Sequence, residues 1–155
     1  LWPEIDVEGQ PIPYSARKGK YGKFYKPKRL LEFQSNVASA GLEAVLQAGR
    51  SGLETRHVAV ISRFTRKGKA KCDADNLQKA VQDALTGVVY ADDVQVHALA
   101  VTKESDDEPR SKILVMTLDN VEVEVFDDSK HRSGRRAKRG GSHPKTVSKK
   151  RRSSR

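Results

Sequence analysis

The sequence predicts an α+β domain: two helices packed on a small mixed sheet, in the order β-α-β-α-β-β, with a disordered basic tail behind it. Three observations lead there. Two stretches carry apolar residues at helical spacing, and they are separated by short β-branched runs. The 155 residues suit one core of the commonest domain size. Charge is unevenly spread: twelve of the thirty Lys and Arg fall in 129–155, which holds no acid, leaving eighteen against all twenty acids, or about −2, in 1–128.

WPEIDVE (Trp2 to Glu8) is short, partly alternating and closed by Gly9, as suits a first strand. From Gly9 to Lys28 no apolar period survives, which predicts a long loop of the kind that tends to be functional. Leu30, Leu31, Val37, Ala38, Leu42, Val45 and Leu46 then mark one face of a helix of roughly five turns that stops at Gly49 or Gly52. RHVAVISRFT (Arg56 to Thr65) has strand composition. From Asp75, the residues Leu77, Ala80, Val81, Ala84, Leu85 and Val88 fall on one helical face, with Asp75, Lys79, Gln82 and Asp83 on the other, and Gly87 ends the helix. VQVHALAVTK (Val94 to Lys103) and KILVMTL (Lys112 to Leu118) read as strands joined by an acidic loop and are expected to be antiparallel neighbours. VEVEVF (Val121 to Phe126) alternates cleanly, and is either a further edge strand, open to a second subunit, or a continuation.

The first domain is therefore placed at 1–128 and the tail at 129–155. With one Val and one Ala as its apolar side chains, the tail cannot bury enough surface to offset the entropy of ordering, and its charge suits contact with a polyanion, nucleic acid above all. The alternative is a tail that only aids solubility. A single Cys72 excludes an internal disulfide, and no Cys and His spacing matches a zinc site, so His57 and His97 are read as strand residues. No apolar run reaches membrane-spanning length and no signal sequence is visible. The expected setting is cytoplasmic, in a bacterium or a phage-infected cell, with no membrane partner.

The Gly9 to Lys28 loop interleaves cations with rings: Arg17, Lys18, Lys20, Lys23, Lys26 and Lys28 among Tyr14, Tyr21, Phe24 and Tyr25. Cations meet phosphates and rings stack on unpaired bases, so this is a candidate nucleic-acid surface, unless the rings serve to pin the loop to the core. A second basic segment, TRKGKAKC, brings Arg66, Lys67, Lys69 and Lys71 to the edge of DADNLQK (Asp73 to Lys79).

In extended backbone Asp73 and Asp75 point to one side, and Lys79 follows one helical turn after Asp75. Were Asp93 of YADDVQV brought to the same place, each close pair of carboxylates would repel by about 4 kcal/mol at ~4 Å and an effective dielectric of ~20. Such a cluster calls for a cation. Magnesium suits it, since that ion takes oxygen ligands, keeps waters and uses one or two carboxylates plus substrate phosphate. Lys79 would stabilise charge on the transition state or protonate a leaving oxygen. Simpler roles exist for each residue: Asp75 as a helix N-cap, Asp75 and Lys79 as a surface pair, Asp92 and Asp93 as the turn before a strand. Spacing alone is unspecific here.

The stretch DADNLQKAVQDALTGVVYADDVQV resembles the core of the RusA family of Holliday junction resolvases, phage-type members especially, whose pattern runs D-x-D-N-L-x-K, D-A-L, a Gly-containing link, D-D and Q-V. GQPIP, YKPK and the element order also resemble the family, over roughly Ile5 to Leu118. The resemblance implies that Asp73, Asp75 and Asp93 are the catalytic, metal-binding carboxylates and Lys79 the essential lysine, with Asn76 and Asp83 in local structure. It implies a homodimer acting on a four-way DNA junction with Mg2+, Mn2+ being the other candidate ion. The chain departs from the pattern at Cys72, where members often carry Pro or a basic residue, and at Arg17, which stands alone where an Arg-Pro-Arg is usual.

The expected function is a structure-selective endodeoxyribonuclease that cleaves branched DNA in recombination, repair or phage DNA processing. The competing readings are a catalytically inactive DNA- or RNA-binding protein that uses loop and tail, and an architectural protein whose tail coats DNA; the last leaves the acid spacing without a role.

Overall fold

The computed structural model describes residues 2–68 and 72–119; the 129–155 tail, the VEVEVF segment, Lys69 and Lys71 lie outside the described residues. Its strands are β1 (Ile5–Glu8), β2 (Arg17–Lys18), β3 (Phe24–Tyr25), β4 (Val58–Arg66), β5 (Val96–Ser105) and β6 (Arg110–Thr117), and its helices α1 (Lys28–Gln47) and α2 (Ala74–Leu85). A 3-10 turn, Asp93–Gln95, precedes β5. This is the α+β class expected: two helices on a mixed four-stranded sheet. The Gly9 to Lys28 loop additionally folds into a two-stranded ribbon, Arg17 facing Tyr25 and Lys18 facing Phe24.

The sheet order is β1-β6-β4-β5. β6 runs antiparallel to β1 and β4, whereas β4 and β5 are parallel. The expectation that β5 and β6 are neighbours is therefore overturned: the acidic loop carries the chain across the end of β4, where the Asp106 amide donates to the Arg66 carbonyl at 3.0 Å. Burial explains the choice. β6 presents Ser111, Ile113 and Val115 fully buried and needs neighbours on both sides, while β5 has no buried residue and stands at the edge.

Val58, Val60 and Phe64 of β4 meet Leu30, Phe33 and Val37 of α1 and Leu77, Ala80, Val81 and Leu85 of α2 in one core, where each large apolar side chain contributes about 1.5–3 kcal/mol. The face of α2 is the one the periodicity predicts, with Gln78 buried as well. That of α1 is rotated from it: Phe33, Gly41 and Ala44 are buried, while Leu31, Leu42 and Leu46 are exposed. Gly41 is the reason. A Cβ there would lie 2.8 Å from Leu85 Cδ2 and 3.1 Å from Val89 Cγ2, so the closest approach of α1 to α2 passes over a residue with no side chain, which hydrophobic periodicity cannot register.

One polar knot ties the starts of β4 and β5. The nearly buried Glu54 carboxylate accepts from Arg50 Nη1 (2.6 Å), Arg56 Nε (2.9 Å) and the amides of Thr55 and Arg56, and Arg56 also reaches Asp119 at 2.6 Å. Gln95 Nε2 donates to the carbonyls of Glu54 (3.0 Å) and Arg56 (2.9 Å), which fixes the turn before β5. Arg50 also lies 4.3 Å from the Trp2 ring. The Arg56 guanidinium, ahead of the remaining donors, holds the Glu54 carboxyl down at about 2 from the usual 4.5.

Two predictions follow from this packing. Gly41→Ala should lower stability by about 1 kcal/mol or more in chemical denaturation, since overpacking outweighs the gain of ~1 kcal/mol in helix propensity; a rise would show that Leu85 yields freely. The lowered carboxyl of Glu54 gives stability that is complete above 4.5 and is lost as pH falls toward 2. Glu54→Gln should therefore cost about 1–3 kcal/mol at neutral pH and flatten the decline of the unfolding midpoint across that acid window.

Candidate active site

β4 ends at Arg66 and α2 begins at Ala74, with Asp73 at the N-cap position in extended backbone (φ −77, ψ 136). Asp73 makes no side-chain capping bond, and Asp75 sits in the first turn rather than at the cap. Both carboxylates are exposed, beside the partly positive N-terminus of the helix. The end of this segment is anchored from below: Lys103 Nζ donates to the Cys72 carbonyl at 2.6 Å, and Arg66, largely buried, donates through Nη1 to Cys72 Sγ at 2.6 Å. Cys72, the departure from the family pattern, thus has a structural use.

Lys79 stands one turn up the same helix, exposed, and among the described residues it forms no ion pair with Asp75 or any other carboxylate. Its ammonium lies 4.9 Å from the centroid of Tyr14, whose amide donates to the Asn76 carbonyl at 2.7 Å. Tyr14 therefore ties the basic loop to α2 and gives Lys79 an aromatic rest that leaves its charge uncancelled. Lys26 approaches the same ring at 5.5 Å, but it is engaged by Asp83 (3.0 Å) and Gln34 (3.2 Å). Asp83 and Asn76 thus serve local structure, Asn76 through its backbone carbonyl.

The second acidic doublet divides its labour. Asp92 caps the 3-10 turn: its Oδ1 accepts from the Val94 amide at 3.0 Å, while Gln95 Oε1 accepts from the Asp92 amide at 2.8 Å. The Val94 amide, with help from Asp93, draws the Asp92 carboxyl below its ordinary range. Turn formation is thus the work of Asp92, and Asp93 is left exposed. Asp93 belongs to the neighbourhood of Tyr90, whose hydroxyl is pushed up by burial first and then by the charges of Asp93 and Asp83.

These anchors place the carboxylates at opposite ends of the β4 and β5 pair. Asp73 and Asp75 stand where β4 and β5 finish, beside Lys103; Asp93 stands where those strands start, beside Gln95 and the Glu54 knot. The seven-residue step from Val96 to Lys103 spans ~23 Å of extended chain. Consistent with that separation, among the described residues no three or more His, Cys, Asp or Glu side chains are grouped to hold a metal ion. The chain carries Asp73, Asp75 and Lys79 on the first turns of α2 and Asp93 at the other end of β5. The sequence reading missed this separation, and also Glu54, Arg50 and Arg56; an acid flanked by two arginines in a loop was their visible signal.

Around the α2 end, Arg17, Lys18, Lys20 and Lys23 are exposed on the ribbon together with Tyr21, Phe24 and Tyr25, and Lys67 is exposed at the end of β4. Lys28 pairs loosely with Glu32 at 3.6 Å. His57 and His97 stack face to face, 3.7 Å between centroids, at the starts of β4 and β5. No described helix is long and apolar enough to cross a membrane.

Comparison with known proteins agrees with this arrangement of elements. The chain is 44% identical over 133 residues to a protein of Bacillus subtilis (strain 168) described as "Uncharacterized protein YqaN", an alignment covering 72% of this chain and 94% of that one. The family described as "Endodeoxyribonuclease RusA" matches residues 4–116, which take in both helices, every strand but the last residue of β6, and both acidic motifs. The chain belongs to the RusA endodeoxyribonuclease family.

Proposed function

We propose that the protein is a divalent-metal-dependent, structure-selective endodeoxyribonuclease that cleaves Holliday junctions or other branched DNA in recombination, repair or phage DNA processing, working as a homodimer. The observation that carries this reading is the pairing of the family match with an exposed Asp73, Asp75 and Lys79 on the first turns of α2. Two hard oxygen donors held on one short segment fit Mg2+, or Mn2+ in its place, because such an ion needs few carboxylates and takes the rest of its shell from water and substrate phosphate. A bound ion of this kind would polarise the scissile phosphodiester and lower the pKa of a water. The chain's own residues supply the surroundings. Lys79, with no carboxylate partner among the described residues, is placed to meet charge developing on the phosphate, and the cations and rings of the ribbon offer phosphate contacts and stacking platforms for bases unpaired at a branch point.

The tail adds sequence-independent attraction through its twelve cations, and a bacterial or phage-infected cell is the setting that supplies the substrate. The competing reading, a nucleic-acid binder without catalysis, has in its favour the separation of Asp93 from the other carboxylates within one chain.

Cleavage of a synthetic four-way junction separates the two. Wild type with Mg2+ should make paired nicks near the crossover; Asp75→Asn should bind the junction with little change and lose cutting by about 10²-fold or more. EDTA should abolish cutting by wild type. No cutting by wild type in Mg2+ or Mn2+ would favour the binder. Truncation after Asp128 should leave cutting intact at low salt and remove much of the salt dependence of binding, which for six neutralised phosphates amounts to ~10³ in affinity between about 50 and 200 mM. An unchanged salt slope would rule out the tail as a DNA tether.

A further inference from the structure

Lys79 has two acids within helical reach and pairs with neither. Asp75 and Asp83 stand four residues before and four residues after it on α2, the spacing at which side chains of opposite charge meet. The order Asp75 then Lys79 is also the favoured one, because it sets the acid toward the positive end of the helix. Among the described residues, however, Asp83 is taken by Lys26 at 3.0 Å, and no ion pair joins Lys79 to Asp75. The Lys79 ammonium lies instead 4.9 Å from the centroid of the Tyr14 ring.

Tyr14 is well fitted to hold a lysine. It follows Pro11, Ile12 and Pro13, and the two prolines restrict the backbone that leads to it. Its ring is half-buried and packs, like Ile12, against the core, while its amide donates to the Asn76 carbonyl at 2.7 Å. The ring is thus fastened to the helix that carries Lys79, three residues ahead of it. Beyond the other end of the ribbon, Lys26 approaches the same ring at 5.5 Å while bound to Asp83 and to Gln34, whose own amide donates to the Ala80 carbonyl at 3.1 Å. Both ends of the basic ribbon are therefore tied to α2, on either side of Lys79.

We propose that Tyr14 is a positioning residue: its ring holds the Lys79 ammonium off Asp75, which leaves the carboxylate open to a cation and the ammonium open to phosphate. Its part in the reaction rests on the nuclease reading; the contact does not. A cation over an aromatic face keeps its charge, whereas an ion pair with Asp75 would cancel that charge and occupy oxygens that a metal would use. Without the ring, the flexible lysine stem lets the ammonium settle on an acid within reach. Lys26 already fills the place at Asp83, so Asp75 is the acid that remains. Because Tyr14 stands at the stem of the ribbon, the chain that offers Arg17 and Lys18 to a phosphate backbone is also the chain that sets where Lys79 rests.

Tyr14→Leu keeps an apolar side chain against the core and the backbone bond to Asn76, and Tyr14→Phe keeps the ring. Magnetic resonance of the metal-free full chain, with lysine carrying 13C at Cε, reads the contact. Wild type should show a Lys79 signal, identified by its loss in Lys79→Ala, that is shifted upfield by ring current; the shift should survive in Tyr14→Phe and vanish in Tyr14→Leu. Mn2+ titration with branched DNA present, followed by electron paramagnetic resonance, reads the consequence. Tyr14→Leu should bind Mn2+ about two- to five-fold more weakly than wild type, Tyr14→Phe like wild type, and the double variant Tyr14→Leu, Lys79→Ala no more weakly than Lys79→Ala alone. On a four-way junction Tyr14→Leu should bind as wild type does and cut, at saturating enzyme, about two- to five-fold more slowly. An unshifted Lys79 signal in wild type, a Mn2+ defect that persists in the Lys79→Ala background, or a Tyr14→Phe chain as impaired as Tyr14→Leu would overturn the proposal. The spectra and the titration need no cutting, so an inactive wild type would count against the nuclease reading and leave these two measurements to decide the role of Tyr14.

Discussion

The constraint on which the structure depends is the parallel pairing of β4 with β5. Parallel strands cannot be joined by a tight turn; the chain has to return along the full strand length, and here α2 makes that return. Whatever leaves β4 therefore sits at one end of the sheet and whatever enters β5 sits at the other. Asp73 and Asp75 lie on the exit side and Asp93 on the entry side. The same crossover leaves β5 at the edge, because β6 takes the place on the far side of β4 where its buried Ile113 and Val115 are covered. Separation of the acids and exposure of the edge strand are thus two results of one topological fact.

Electrostatics gives that separation a rationale. Three carboxylates gathered in a single folded chain would repel one another before any ion or DNA arrived, and the strain would fall on the first turns of a helix only twelve residues long. Distributed over two ends, each acid is tolerated by its own surroundings: the helix N-terminus for Asp73 and Asp75, and the turn capped by Asp92 for Asp93.

Much of this was legible from the letters. Helical periodicity found both helices, and Leu77, Ala80, Val81, Ala84 and Leu85 were placed on the correct face because α2 is amphipathic with no exception beyond Gln78. The residues of DADNLQK and of the acidic doublet could be singled out because their spacing is fixed by a helix start and a capped turn, both local features. What was not legible is non-local. Nothing in KILVMTL says that it crosses β4 to pair with β1, and nothing in α1 announces that Gly41, with its lack of a side chain, sets the helix phase. Glu54 was passed over because a buried acid is recognisable only from the arginines that fold back on it. The distance between Asp73 and Asp93 is of the same kind, since it depends on strand direction, which sequence pattern does not encode.

The central claim, that Asp73 and Asp75 at the start of α2 serve a hard divalent cation, is tested most directly by Mn2+ titration of the full chain with branched DNA, followed by electron paramagnetic resonance. The account predicts Mn2+ binding by wild type that is lost in Asp73→Asn. Binding that is unchanged in that variant would contradict it.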